Sequence, residues 1–380
     1  MNRRPNTYTC RNHVEIYRSE QELLKLIERL ISEASSTIHF HMYILKEDTS
    51  GRKILTALKE AALRGVKVYM LIDAFGSVSL AKDTIVDLKK HGVYFEWYNA
   101  FRWSRCFQAI HRLHQKVIIF DQKIAILGGF NISNDYLAPL EENPWLDFAV
   151  LVTGEVVREI TLICNRLLQS ISEKNLNLPL LVPSRLEGSM RAKVIYNNFL
   201  QGKFQVSQSY KHAIRHAKKE IFLVQSYFFP NHHFLRLLKH AAQRGVKIKL
   251  LLPKKSDVPL FKYACNYLYR YLLRYKIEIF EWKPSVLHAK LAVIDDIWCT
   301  VGSYNINYTS HVANVEMNLL VWNSDFAKTT KNLLSQAMLE QTNYITKDLI
   351  AAKTSLFEKV RDYCAYKIVN LCMFFTKILA

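Results

Sequence analysis

An internal repeat constrains this chain more than any other feature. Residues 58–68 read LKEAALRGVKV, and residues 238–248 read LKHAAQRGVKI, 180 positions later in a chain of 380. A repeat at about half the chain length points to a duplicated domain. Upstream of each copy stand an alanine, a short apolar run and a tyrosine: ASSTIHFHMYIL at 34–45 and AKKEIFLVQSYFFP at 217–230. Each set reads as helix, strand, loop, helix, strand. The Arg-Gly pair closes the helix at Gly65 and Gly245, and VKVYMLID or VKIKLLLP opens the next strand. Strands alternating with helices predict an α/β fold.

The segment NLNLPLLVPSRLEGSM (175–190), with two prolines and a glycine, separates the copies. The expected organisation is a first lobe over 1–175, ending in a helical stretch near 155–173, a linker over 176–190, and a second lobe over 191–345. The remainder, 346–380, is expected to be an amphipathic helical tail. Ile350, Phe357, Cys364, Leu371 and Ile378 recur every seventh residue, with Val360, Ile368 and Phe375 on neighbouring positions. Such a stripe either packs on the domain or lies on a membrane surface. The tail's six Lys and Arg against three Asp and Glu suit the latter. Its most apolar run, IVNLCMFFTKILA, has 13 residues including Asn370 and Lys377, short of the ~20 needed to span a bilayer. The N-terminal MNRRPNTYTCRNHVEIY has no apolar run, so neither a signal peptide nor an N-terminal anchor is expected.

Charge narrows the partners. Fifty-two Lys and Arg against 33 Asp and Glu leave +19. A surface of that sign attracts nucleic acid, an anionic lipid surface or a phosphate-bearing substrate. Half the residues are hydrophobic, which excludes a disordered chain. The seven cysteines form no C-x-x-C pair, so they read as free thiols in a reducing compartment rather than as a zinc site or disulfide framework.

A second feature is duplicated with the first. His-x-Lys-x-x-x-x-Asp occurs as His114, Lys116, Asp121 and as His288, Lys290, Asp295. Each is followed by a turn, a short apolar strand and a glycine-bearing end with asparagine: GGFN at 128–131 and GSYN at 302–305. Asn131 lies 17 residues after His114, and Asn305 lies 17 after His288. LHQKVIIF (113–120) and LHAKLAVI (287–294) are strand-like. Alternation puts each His and Lys on one face and the Asp on the other. The aspartates therefore read as turn residues, structural rather than chemical. The next strand runs back, bringing Asn131 or Asn305 beside the His-Lys end, where glycine would let backbone approach an anion. His39, His41 and His111 lack this context and read as ordinary core or surface histidines.

Two lysines and two asparagines make a cradle for one phosphate. Two imidazoles on opposite sides allow in-line displacement: one, neutral, attacks phosphorus, and the other, protonated, serves the leaving alcohol. No metal or other cofactor is required, because the lysines carry the developing charge. A carboxylate on each ring's other nitrogen would fix the tautomer. Asp147 and Glu316, 33 and 28 residues after His114 and His288 respectively, are the candidates.

These residues resemble the phospholipase D superfamily, marked by two H-x-K-x4-D motifs. The likeness covers nearly the whole chain. It is closer to bacterial cardiolipin synthases of the branch lacking N-terminal membrane helices, through RGVKVYMLIDAFGS (64–77), RLHQK (112–116), GGFNISNDY (128–136), PSVLHAKLAVIDD (284–296) and VGSYNINYTS (301–310). The resemblance implies a two-lobed fold, each lobe a mixed sheet flanked by helices, with the site at a pseudo-twofold interface. It also implies phosphatidyl transfer through a phosphohistidine, with His114 as nucleophile and His288 as acid/base. The implied partner is an anionic phospholipid at a membrane surface, met as a peripheral protein on the cytoplasmic face. A hydrolytic phospholipase D using water, a nuclease of the superfamily and a membrane-associated scaffold stand as alternatives. The lipid-enzyme phrases and the apolar tail weigh against nucleic acid, and the two intact motifs weigh against a scaffold.

Overall fold

The near-continuous apolar runs noted above become strands buried on both faces. The computed structural model describes residues 7–18, 21–100, 111–138, 143–176, 178, 180, 188–353 and 355–379. The first lobe contains, in order, β1 (Thr9–Arg18), α1 (Gln21–Glu33), β2 (Thr37–Met42), α2 (Thr49–Leu63), β3 (Lys67–Asp73), α3 (Lys82–Lys90) and β4 (Tyr94–Tyr98). It continues with β5 (Arg112–Leu113), β6 (Lys116–Phe120), β7 (Ile124–Gly128), α4 (Asn134–Leu137), β8 (Phe148–Gly154) and α5 (Glu155–Ile171). The second contains β9 (Met190–Asn198), β10 (Lys203–Phe204), α6 (Gln205–His216), β11 (Glu220–Gln225), α7 (His232–Gln243), β12 (Lys247–Pro253), α8 (Pro259–Arg274) and β13 (Glu278–Trp282). Then follow β14 (Lys290–Ile294), β15 (Trp298–Gly302), α9 (Tyr308–Val312), β16 (Asn314–Trp322), α10 (Ser324–Gln341), β17 (Thr342–Ile345), α11 (Lys347–Lys353) and α12 (Leu356–Leu379).

The two sheets have one order. The first is β4-β3-β2-β6-β7-β8-β1, with β2, β3 and β4 parallel and the other pairs antiparallel. The second is β13-β12-β11-β14-β15-β16-β9, with the same parallel trio and the same antiparallel run. Pairing of β1 with β9 joins them. β17 extends only the second sheet, beyond β13. This is the expected α/β architecture of two related lobes with helix-flanked mixed sheets. Of the expected linker, residues 177, 179 and 181–187 lie outside the described residues.

Each sheet buries its outer face under its own helices. In the first lobe, Leu23, Ile27, Leu30 and Ile31 of α1 meet Ile38, Phe40 and Ile118. Those helix positions recur at three and four residues, one face of a helix. The inner faces share a core: Val117, Ile119, Leu127 and Val150 from one sheet cluster with Val224, Leu291, Val293 and Leu319 from the other. Burial on both faces is why the strands read as continuous apolar runs rather than alternating ones. The lobes therefore cannot part without exposing a core. Both helix ends at Arg-Gly take the expected form, with Gly65 and Gly245 at φ of 91° and 87°.

The tail is helical and packs on the domain, one of its two expected placements, but not through the heptad stripe. α12 packs through Ala365, Val369 and Met373, which are buried in the second lobe's core. Ile350, in α11, also packs against that core, but the α12 part of the heptad stripe is on the other side: Phe357, Val360, Cys364, Ile368 and Leu371 are exposed. The helix is apolar on two faces, and periodicity alone selected the outer one. The side chains of Phe375 and Ile378, also in that stripe, lie outside the described ones.

Candidate active site

Each histidine lies just upstream of its sheet strand, in a short extended segment that pairs with the other lobe. β5 runs parallel to the start of β16, Arg112 beside Asn314 and Leu113 beside Val315. One step on, His114 Nδ1 meets the Glu316 carboxylate at 2.9 Å. On the other side Leu287 bridges Leu146 in parallel, and the His288 N–H donates to the Leu146 carbonyl at 2.8 Å. One step on, His288 Nδ1 lies 2.6 Å from Asp147 Oδ2. Both expected carboxylates are thus at the rings, but exchanged between lobes. Chain spacing paired each with the histidine of its own half; the parallel bridges across the lobe interface decide otherwise. The same bridges explain why the strands expected from 113 and 287 begin only at Lys116 and Lys290.

Lys116 and Lys290 follow two residues after their histidines, on the same face. Lys116 Nζ donates to the His114 carbonyl at 2.7 Å and lies 5.0 Å from the centroid of the Tyr43 ring. Lys290 Nζ donates to the His288 carbonyl and lies 3.9 Å from the Asp147 carboxylate. All six of these side chains are buried.

Burial is the largest single influence on each group in this cluster. It lowers the His114 imidazole to about 4 against the pull of Glu316. It drives His288 well below the usual imidazole value, with Lys290 and Lys116 adding to the effect. It lowers Lys116 to about 7 and Lys290 to about 8, and lifts Asp147 to about 7. Burial also pushes Glu316 up, but His114, Lys116 and the Ser303 hydroxyl outweigh it and hold that carboxyl below its ordinary range. Lys116 acts on His288 and Lys290 on His114, so the half-sites are within electrostatic reach of each other. A phosphate between them would restore the lysines' charge and lift the imidazoles toward protonation.

The asparagine loops brace the pocket. Asn131 Oδ1 accepts from the Ile44 N–H at 3.1 Å, and its Nδ2 donates to the Tyr136 hydroxyl at 2.9 Å. Asn305 is buried with its side-chain oxygen unpartnered. The nearby glycines are required by packing. A Cβ on Gly129 would sit 2.3 Å from Asp147 Oδ1, and one on Gly302 2.4 Å from the Asn318 side chain. Glycine is needed there because the buried side chain occupies the room.

The motif aspartates are at the far ends of their strands. Asp121 and Gln122, like Asp295 and Asp296, have positive φ and turn the chain into the next strand. Asp121 accepts from the N–H groups of Ser35, Ser36 and Thr37 at 2.7–2.9 Å and from both serine hydroxyls. Asp295 accepts from the N–H groups of Lys218, Lys219 and Glu220 at 2.7–3.0 Å. Each ties its hairpin to the start of the neighbouring parallel strand.

The sequence profile of the cardiolipin synthase, PLD-like domain, family matches this chain twice, over residues 27–168 and 210–338. The chain belongs to the phospholipase D superfamily, in this cardiolipin synthase-like family. Cardiolipin synthase B of Salmonella typhimurium is 29% identical over 367 residues, spanning 90% of this chain and 84% of that protein. A cardiolipin synthase of Clostridium perfringens is 30% identical over 335 residues, spanning 85% and 70%. Among solved structures, phosphatidylserine synthase of Haemophilus influenzae superposes with a TM-score of 0.76 at 15% identity, covering 97% of both chains. At that identity the match speaks for the fold. The profile's two matches each contain one of the two HxK pairs.

Several site residues of this family member were not singled out from the sequence. The Tyr43 ring meets His114 edge-on with centroids 5.0 Å apart, while Tyr136, Trp145 and Tyr227 surround His288 at 5.1, 5.8 and 6.1 Å. Ser303 donates to Glu316. A signal existed for two of these: Tyr43 and Tyr227 are the tyrosines that end the repeated apolar runs. Nothing in spacing foretold that Tyr136 and Trp145, from the first lobe, would wall the second lobe's histidine.

Proposed function

We propose that the chain is a phosphatidyltransferase of cardiolipin synthase type, joining two phosphatidylglycerol molecules and releasing glycerol. One observation carries the reading: two buried imidazoles, each held at Nδ1 by a carboxylate from the opposite lobe, beside two buried lysines. With Nδ1 taken, Nε2 is the nitrogen left for phosphorus. His114 attacks the phosphodiester, forming a P–N bond as the bond to the glycerol headgroup breaks. His288 gives its proton to that departing oxygen. A hydroxyl of the second phosphatidylglycerol then returns a proton to His288 and attacks phosphorus. The P–N bond breaks, giving cardiolipin and free His114. Lys116 and Lys290 carry the charge on the equatorial oxygens.

The unequal carboxylates support this division of roles. Glu316, held ionised, stabilises the cation that His114 becomes on attack. Burial pushes the Asp147 carboxyl up, so it holds a proton more readily than Glu316 beside the ring that must deliver one. Among the described residues no helix is long and apolar enough to cross a membrane. The reading places the enzyme peripherally, on the cytoplasmic face.

The test is incubation of the purified protein with phosphatidylglycerol vesicles, followed by mass spectrometry of the products. Cardiolipin with glycerol, absent for His114→Ala and His288→Ala, is the expected result. Phosphatidic acid in place of cardiolipin would make water the acceptor and overturn the synthase reading.

A further inference from the structure

We propose that the end of the molecule bearing the site mouth docks on an anionic bilayer through two loop tips and the outer face of α12. This rests on the phospholipid reading above and adds which surface meets the lipid.

The loops in question leave the carboxyl ends of β3 and β12, equivalent strands of the two parallel trios. After β3, Asp73 accepts from the Phe75 and Gly76 N–H groups and fixes a tight turn. Gly76 lies against Tyr43, the ring beside His114: a Cβ there would be 2.9 Å from that ring. The tip nevertheless presents Phe75 at 68% and Val78 at 82% exposure. After β12, Asp257 accepts from the hydroxyl of Tyr227, whose ring neighbours His288. Val258 and Leu260 are exposed beside it. Both lobes thus hold large apolar side chains in water within a few residues of the rings that wall the histidines. Core packing does not need them there.

α12 lies over the same end of the second lobe. Its Tyr366 ring lies 5.5 Å from that of Phe229, in the loop after β11, and Met373 meets Thr309 of α9. Tyr363 and Tyr366 pack on Tyr267 of α8. With its inner edge on these site-end elements, its outer face carries Phe357, Val360, Ile368 and Leu371 into solvent, Phe357 at 77% exposure.

Charge selects the occupant. Lys254 and Lys255 precede Val258, Lys82 follows Val78, and Lys359 and Lys367 punctuate the outer face of α12; all five are exposed. Lysines beside apolar tips suit an anionic interface, where the tips enter the acyl boundary and the ammoniums stay with the headgroups.

The test separates docking from turnover. Flotation with phosphatidylserine vesicles, phosphatidylglycerol vesicles and phosphatidylcholine vesicles measures binding without chemistry. The wild-type chain is expected to float with both anionic vesicles and to bind phosphatidylcholine at least tenfold more weakly. The double variants Phe75→Ser/Val78→Ser and Phe357→Ser/Leu371→Ser, changed only at exposed positions, should each lose at least tenfold in anionic-vesicle affinity. Their thermal unfolding should match the wild type. Unchanged binding of both variants would overturn the surface. So would wild-type dimerisation abolished by the α12 substitutions without loss of flotation, which would assign that face to a second copy. Variant-sensitive binding without formation of cardiolipin would uphold the surface while refuting the proposed reaction.

Discussion

The two half-sites share a backbone plan and differ in chemistry. His114 is backed by Glu316, which also receives the Ser303 hydroxyl and the Asn314 amide. His288 is backed by Asp147, a shorter carboxylate braced by the Phe148 N–H and pressed against Gly129. Among the described residues, one tyrosine ring touches the first imidazole and three aromatic rings surround the second. Duplication supplies two equivalent histidines, but a displacement needs one base and one acid. The proposed division of those roles rests on this difference in surroundings, and because each carboxylate comes from the opposite lobe, neither lobe holds a complete half-site.

The sharpest way to break this comparison is to remove each histidine in turn. His114→Ala and His288→Ala should each lower phosphatidyl transfer by about 10³-fold or more. With an aryl phosphodiester, whose leaving group needs no proton, His288→Ala should release a first-turnover burst at a rate within about tenfold of wild type, while His114→Ala stays inactive. Release of nitrophenolate reads this directly; equal behaviour of the two variants would refute the assignment.

The exchanged carboxylates offer a smaller, more specific contrast. Glu316→Gln should slow formation of the phosphohistidine by about a hundredfold with either an alkyl or an aryl leaving group, whereas Asp147→Asn should do so only with the alkyl one, whose departure needs a proton. Rapid-quench detection of the labelled intermediate distinguishes them. If Asp147→Asn instead abolished modification of His114, the cross-lobe pairing would not govern function.

The pH profile follows with a definite sign. Burial lowers Lys116 to about 7 and Lys290 to about 8, so their charge is lost as pH rises through that window. The alkaline limb of kcat/KM should fall there, rather than near the ordinary lysine value of about 10.4. The acid limb follows His114, which must be neutral to attack and is protonated only near 4. A profile flat to pH 10 would show that the lysines keep their charge without substrate.

The smallest effect on activity is expected at the motif aspartates. Asp121→Asn should cost about 1–3 kcal/mol of stability and leave kcat within about twofold, since the residue is remote from phosphorus. Burial works against the Asp121 carboxylate, but the N–H groups of Thr37, Ser35 and Ser36 hold it down to about 2. Its contribution is therefore present above the ordinary carboxyl pKa and lost as pH falls toward 2. Asp295→Asn should cost less, with three N–H donors and no hydroxyls involved. Urea unfolding at neutral and acid pH measures both.

Much of this was legible in the chain. Two copies of R-G-V-K after a helix, and two of H-x-K-x4-D, signal duplicated α/β units, because helix ends and hairpin turns are local events set by a few residues. The parity of strand positions put the aspartates apart from the histidines. The tail shows the limit of such reasoning. Periodicity detects an apolar face, but α12 has two, and only contact with α8 and Phe229 determines which one is buried.

The sequence by itself determined that there are two related lobes, that each carries one histidine and one lysine on the same face of an extended segment, and that two acidic residues stand ready to support them. These follow from short-range rules of spacing and alternation. Only the tertiary structure decided that the carboxylates are exchanged, that Tyr136 and Trp145 wall the other lobe's histidine, and that the tail's stripe faces outward. Those facts depend on how two sheets pack face to face around a common core. That packing sets residues about 140 to 200 positions apart side by side at hydrogen-bond distance, a register that spacing along one chain does not encode.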